Sequence, residues 1–252
     1  MGRQSISRVV PSPPFSSLTF PYIDYLKQRP YIFAAWFHLR KNMYLLRSRF
    51  NRTSALWKQM ELGNDPTKKH LVEKVIPYNK NNVWAVSRDR TERIMNILRT
   101  IRGLNTKNSK ILCIGPRNEA EILLMSLYGF SLENITGIDL FSYSPLIQVM
   151  DMHDLKFNDN QFDIVYSSFV LRYSNDIWRA CAEAVRVTKD SGLIAIGTSF
   201  GRSSDLVGTD LNGGIKEILG YFGDHVKHIY WQEEFPFSHE DNIATVIFSI
   251  SK

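Results

Sequence analysis

KILCIGPRNEAEILLMSLYGF (residues 110–130), NITGIDLF (134–141) and MDMHDLKFNDNQFDIVYSSFVL (150–171) follow one another in the middle of the chain, with SGLIAIGTSF (191–200) after them. The first stretch reads as a strand at Ile111–Ile114, a turn opening on Gly115 and a helix over Glu119–Tyr128. Strands follow at Ile135–Ile138, near Ile147–Met150 and at Phe162–Tyr166, then a helix over Asp176–Val187 and a strand at Leu193–Thr198. Short apolar runs rich in Ile and Val, alternating with helical periodicity, predict a mostly parallel sheet with helices on both faces, an α/β doubly wound fold.

Two later strands, within HVKHIYWQEEF (225–235) and ATVIFSISK (244–252), read as a pair joined by residues 236–242 that closes the sheet with one antiparallel member. A short helix lies in GGIKEILGYFG (213–223) before them. The polar, glycine-rich stretch FGRSSDLVGTDLNGG (200–214) reads as a connection or a substrate lid.

Working toward the N-terminus, SRDRTERIMNILRTIRG (87–103) reads as a helix capped by Ser87 and ended by Gly103, with Ile94, Ile97, Leu98 and Ile101 as its buried stripe. Pro66 and Pro77 punctuate a helical stretch around Lys68–Val75. From Tyr22 to Arg52, Trp36, Leu39, Met43, Leu46 and Phe50 fall at spacings of 3 and 4, one face of an amphipathic helix. Residues 1–21, with four prolines and no periodicity, read as a flexible leader. The expected organisation is therefore a leader at 1–21, a basic helical extension or cap at 22–85, and a catalytic-type domain at 86–252.

Composition excludes several classes. No run of 18 apolar residues exists, so no transmembrane helix is expected, and the first residues have no apolar core of a secretion signal. Ile6 stands where a myristoylation signal following Gly2 wants Ser or Thr. The two cysteines, Cys113 and Cys181, lack metal-ligand spacing, and no HExxH, H-x-E or CxxC pattern occurs, so no metal is expected and a reducing cytoplasm is the simplest location. The net charge of +6 is uneven: residues 1–109 hold 20 Lys and Arg against 6 Asp and Glu, and residues 110–252 hold 11 against 19. The basic half suits either solvated helix faces or an anionic partner, which keeps nucleic acid open. The helix within residues 30–52 also has the form of a peripheral membrane contact.

Four features place chemistry at the strand ends. Gly115 directly after the first strand lets backbone approach a ligand closely. Asp139 closes the next strand, where a carboxylate accepts ribose hydroxyls, and Leu140 follows it. Asp151, as the chain leaves the third strand, can hold an exocyclic amine while Met152 packs on a purine. Ser167 and Ser168 sit at the mouth of the Phe162–Tyr166 strand.

These features, with D-x-x-D-L-x-F at Asp151–Phe157, F-D-I-V-Y at Phe162–Tyr166 and R-V-T-K-D-S-G-L-I at Arg186–Ile194, resemble class I S-adenosylmethionine-dependent methyltransferases over roughly residues 85–252. The resemblance implies a Rossmann-like sheet of seven strands with the last antiparallel, and S-adenosylmethionine as cofactor. It implies that Gly115 passes under the methionine portion, that Asp139 binds the ribose, and that Asp151 with Met152 holds the adenine. The chain departs from the family where an acid and alternate glycines are usual: these positions are Cys113, Gly115, Arg117 and Glu119. Arg117 and Glu119 are candidates to meet the cofactor carboxylate and ammonium; the alternative is that they pair with each other at the helix start. The eleven residues between Asp139 and Asp151, with Pro145 among them, leave room for little more than a turn where the family has a helix. That leaves the adenine side either open or covered by the N-terminal helices. Tyr173 and Arg172 follow the fourth strand on the acceptor side. Tyr173 is a candidate to orient or deprotonate an acceptor and Arg172 to bind an anionic group of it. His153 is either a base or a solvated loop histidine. A small-molecule or glycan-type acceptor is the leading expectation.

Overall fold

The computed structural model describes residues 31–32, 35–39, 58–60, 73, 75–82, 89–200, 211–236 and 242–252. Its centre is a seven-stranded sheet in the order β5-β3-β2-β6-β7-β9-β8. The strands are β2 (Ile111–Ile114), β3 (Ile135–Asp139), β5 (Ile147–Val149), β6 (Phe162–Ser168), β7 (Thr188–Phe200), β8 (Val226–Pro236) and β9 (Asn242–Ile250). β2 pairs in parallel with β3 and β6, β3 with β5, and β6 with β7. β9 is antiparallel to both β7 and β8, so the last strand inserts between its two predecessors. The doubly wound expectation holds, including the antiparallel final strand.

The sheet is covered on both sides, and its central strands β2 and β6 are buried at nearly every position. All four residues of β2 are buried. Leu112 and Ile114 face a core shared with α4 (Ile177–Val187) and α5 (Gly214–Phe222). Ile111 and Cys113 face a second core shared with α2 (Asp89–Thr100) and α3 (Glu119–Leu127). Such continuous apolar runs, rather than alternation, are what a sheet buried on two faces requires. Within α2, Ile94 and Leu98 are buried as the spacing predicts; Met95 joins them, while Ile97 and Ile101 are only partly buried. The expected cap Ser87 lies outside the described residues. Two helices are capped by their own sequence: Asn118 accepts from the Ala120 N–H at the start of α3, and Asp176 from the Arg179 N–H at the start of α4.

Three expectations are corrected. The segment at residues 35–39 is helical, but Leu39, assigned to the apolar stripe, is 59% exposed, and Phe37 is the buried residue, packed on Ala120, Leu123, Leu124 and Leu127 of α3. Helix α3 is apolar nearly all round, so it offers a second face that a large aromatic fills. Met43, Leu46 and Phe50 of that stripe lie outside the described residues. Pro77 does not end a helix; it lies in the first turn of α1 (Ile76–Asn81), where a missing N–H costs nothing. The strand expected at Leu193–Thr198 runs from Thr188 to Phe200.

Between Asp139 and Asp151 there is no helix. The chain makes a two-residue strand, β4 (Phe141–Ser142), antiparallel to β1 (Lys58–Gln59), and then turns into β5. Thus a piece of the N-terminal half stands where a helix was missing. Among the described residues no helix is long and apolar enough to cross a membrane.

Candidate cofactor site at the strand ends

The C-terminal ends of β2 and β3, the loop after β5 and the turn after β6 surround one cavity. Its walls are Ile114, Gly115, Ile138, Asp139, Leu140, residues 150–153, Val170 and Tyr173, and α1 closes it with Val75 and Asn79. Ligands in open α/β sheets bind here because the strand order reverses between β2 and β6 and leaves a crevice.

Gly115 begins the first turn with its N–H donating to the Ile138 carbonyl at 2.8 Å and φ at +71°. A Cβ here would stand 2.4 Å from Cγ2 of Val170, so both backbone conformation and space demand glycine. Arg117 is also left-handed, at φ +44°. That turn aims its N–H at Oδ2 of Asp139 (3.0 Å), while the Leu140 N–H reaches Oδ1 (2.7 Å). The Phe141 N–H is a third backbone donor, and of the carboxylate's roughly four acceptor positions one is left for a ligand. Burial pushes the Asp139 carboxyl up to about 6, against the pull of those backbone donors and of Arg117.

The Arg117 side chain leans toward the roof, with Nε donating to Asn79 Oδ1 at 3.2 Å and the guanidinium 5.7 Å from the Tyr78 ring centre. Glu119 goes elsewhere: it is fully buried, accepts from Ser144 Oγ, and is not among the cavity-lining residues. A different carboxylate lies beneath this turn. Glu121 accepts from the Tyr166 hydroxyl at 3.3 Å, and that hydroxyl is 3.1 Å from Thr91 Oγ1. Burial raises Glu121 to about 7; Arg117, the Tyr166 hydrogen bond and Arg90 oppose the rise. Glu121 also helps to raise the buried Cys113 thiol, after the larger effect of burial, so it stands beside the position where the family that the sequence resembles usually has an acid.

Asp151 is 2% exposed, and its Oδ1 meets both the His153 N–H (3.0 Å) and His153 Nδ1 (2.5 Å). His153 Nε2 is 2.6 Å from Ser174 Oγ, which accepts from the Asp176 N–H at 3.1 Å. The expected solvated loop histidine is thus corrected: His153 is buried, with both ring nitrogens engaged, and it links the Asp151 loop to the start of α4. Ser167 is buried on β6 and lines a second, smaller apolar cavity that shares Ile114 and Met152 with the first. Arg172 donates from Nη1 to Ser199 Oγ at 2.5 Å, at the ends of β6 and β7.

Of the residues singled out from sequence, Gly115, Asp139, Leu140, Asp151, Met152, His153 and Tyr173 share the cavity wall. Arg117 reaches it through Asp139 and Asn79; Glu119, Ser167 and Arg172 do not line it. Sequence reasoning missed Val75, Asn79, Val170 and Glu121. A signal existed for Glu121, a charge inside the otherwise apolar run AEILLM; none marked the roof residues.

Known proteins point the same way. No curated protein matches the chain. Three solved structures share the fold. A 1,6-didemethyltoxoflavin-N1-methyltransferase from Burkholderia thailandensis is 10% identical with a TM-score of 0.56, covering 77% of this chain and 93% of that one. An N-methyltransferase from Haemonchus contortus is 14% identical at TM-score 0.54, covering 74% and 61%. A geranyl diphosphate C-methyltransferase from Streptomyces coelicolor A3(2) is 13% identical at 0.51, covering 68% and 81%. The family described as a methyltransferase domain matches residues 112–196, the span from β2 into β7 that builds the cavity, and this part of the chain is similar to that family.

Proposed function

We propose that the protein transfers a methyl group from S-adenosylmethionine to an oxygen or nitrogen of a small-molecule or glycan-type acceptor. The observation that carries this reading is the joint placement of Gly115, Asp139 and Asp151 on one apolar cavity, each with the backbone or side-chain support its role needs. The donor set fits the cofactor. Asp139 keeps acceptor capacity for a ribose hydroxyl, and the cavity walls of Ile138, Leu140, Met150 and Met152 suit a purine face. All three solved structures above are of methyltransferases, each in complex with S-adenosylhomocysteine, one of them also with geranyl diphosphate and Mg2+.

When bound, S-adenosylmethionine supplies an electrophilic methyl group on sulfur. The protein's share is to hold, orient and dry the reactants. Asp139 would accept from the ribose and Asp151 from the adenine amine, with His153 fixing the Asp151 rotamer through Oδ1. Glu121, which stands beside Cys113 with Arg117 and Arg90 as charged neighbours, would meet the ammonium in place of the acid absent from the strand. Val75 and Asn79 would exclude water from the adenine side. Because both His153 nitrogens are committed, Tyr173, on the wall of the cavity, is the better candidate to orient the acceptor.

Calorimetry with S-adenosylhomocysteine tests the reading. The expected result is micromolar binding to the wild-type protein and a loss of at least tenfold in Asp139→Ala, since a carboxylate hydrogen bond contributes about 1.5–3 kcal/mol. Absence of binding to the folded wild-type protein would move the reading to a methyltransferase-like scaffold.

A further inference from the structure

We infer that the acceptor carries an oxyanion, a carboxylate or a phosphate, and that Arg172 with Arg90 binds it at the ends of β6 and β7. The inference rests on the methyl-transfer reading and names the acceptor class for the same site.

The geometry begins with Phe169, a bulky residue held at φ +59° where β6 ends. Its N–H donates to the Gly197 carbonyl at 2.6 Å, which fixes the turn against β7. The Arg90 guanidinium lies 3.8 Å from the Phe169 ring centre, so an aromatic face holds the cation in place. Side chains two apart on a strand share a face. Gly197 looks toward Phe169 and Ile94 of α2, so Ser199 lies on that same face, one pleat further along β7. Ser199 receives the Nη1–H of Arg172. Both guanidinium groups therefore belong to one face of one strand end, next to Tyr173 on the cofactor cavity.

Among the described residues, no carboxylate lies within ion-pair distance of Arg90 or Arg172, whereas Arg93, Arg186, Lys156 and Lys189 each have one; Glu121 attracts Arg90 only from further off. The Nε–H of Arg172 is shielded from solvent and has no acceptor. A buried donor left unmade is costly, and a charged one more so. One oxyanion removes that cost: a guanidinium presents Nε–H and Nη–H side by side, the fork that carboxylates and phosphates accept in pairs. Ser199 occupies Nη1 and so sets the rotation of the guanidinium plane. Strain held in a bulky residue at φ above zero is a usual companion of a ligand-binding turn.

The test uses the full chain and two probes, inorganic phosphate and acetate, titrated at constant ionic strength with and without saturating S-adenosylhomocysteine. The readouts are the Arg172 Nε–H nuclear magnetic resonance signal and the anion dissociation constant. Saturable shifts of that signal are expected with at least one anion, and the stronger of the two separates a phosphate from a carboxylate acceptor. Arg172→Gln should weaken that anion roughly tenfold, the size of one lost charge-assisted contact. Arg172→Lys, which preserves charge and guards against a folding defect, should fall between. If neither anion binds saturably to folded protein that does bind S-adenosylhomocysteine, or if Arg172→Gln binds the anion unchanged, the inference is overturned. Saturable anion binding that depends on Arg172, in protein that does not bind S-adenosylhomocysteine, would instead remove the cofactor reading and leave the anion site standing.

Discussion

Single residues in this site are held at a cost, and the cost has a readable pH signature. Glu121 keeps its carboxyl at about 7 instead of 4.5, and Asp139 at about 6 instead of 3.8, mainly through burial. A native state whose carboxyls hold protons more tightly than the unfolded chain loses stability as pH rises between those values. The loss begins near the unfolded values, around pH 4, and is complete above the native ones, just past pH 7. Asp154 and Glu183, lowered by Lys156 and Arg186 respectively, act in the opposite sense and only below about pH 4.5. Among the described residues, the slope between pH 5 and 8 therefore comes from the two raised groups. Urea unfolding of the wild-type protein should show stability falling over that interval. Glu121→Gln, which has no charge to bury, should flatten most of the slope and be the more stable protein at pH 8. A slope unchanged in Glu121→Gln would mean that another group titrates there.

At the scale of elements, the cofactor wall depends on a loop with little regular structure, residues 150–159, tied to the body of α4 by Arg186 and Glu183 and to its start through His153 and Ser174. Arg186 donates from Nη1 to the Phe157 carbonyl (2.9 Å) and Asp159 Oδ1 (2.7 Å), from Nη2 to the Leu155 carbonyl (2.8 Å), and from Nε and Nη2 to Glu183 (2.7 and 2.9 Å). Glu183 in turn accepts the Leu155 N–H at 2.7 Å. Lysine offers one donor atom and no planar fork, so it cannot replace this pattern. Arg186→Lys should cost about 2 kcal/mol in unfolding free energy, as the loss of charge-assisted bonds to a half-buried loop implies. It should also weaken S-adenosylhomocysteine severalfold, since Asp151 and Met152 sit on the same loop. Stability lost with binding intact would show that the loop is fixed by the Asp151–His153–Ser174 link alone.

The same scale explains what could be seen beforehand. Strand positions were legible because four- to seven-residue apolar runs between glycines and acids have one solution in a sheet covered on both sides. Asp139 and Asp151 were legible because a carboxylate ending a buried strand needs a purpose. Contacts between distant segments were not. Nothing in the order of residues says that Glu119 would turn inward to Ser144 while Glu121 lies below Arg117, for both sit in the first turn of α3 and the choice depends on the β4 segment. Likewise the roof from Val75 and Asn79 follows from the pairing of Lys58–Gln59 with Phe141–Ser142, a register no local pattern encodes.

Across the whole molecule, the described N-terminal segments at residues 35–39 and 75–81 meet the sheet domain through apolar contacts. Phe37 is fully buried on α3, and Val75 and Ile76 pack with Leu140 and Tyr173 of the cavity. Helix α3 carries Phe37 on one face and the sheet core on another, and its N-terminus follows directly from the Gly115 turn. Phe37→Ala should destabilise the protein by about 3 kcal/mol, the low end for an aromatic removed from a packed core, since the contact is a satellite of the main one. The cofactor pocket does not touch Phe37, so binding should survive. A ligand at a hundred times its dissociation constant stabilises the native state by about 2.7 kcal/mol. Saturating S-adenosylhomocysteine should therefore return Phe37→Ala close to the stability of the ligand-free wild type, and raise the wild type by the same increment. A smaller increment in the variant would mean that the N-terminal segment shapes the pocket through α3 and does more than cover it, and calorimetric affinities of the two proteins would then differ by the missing amount.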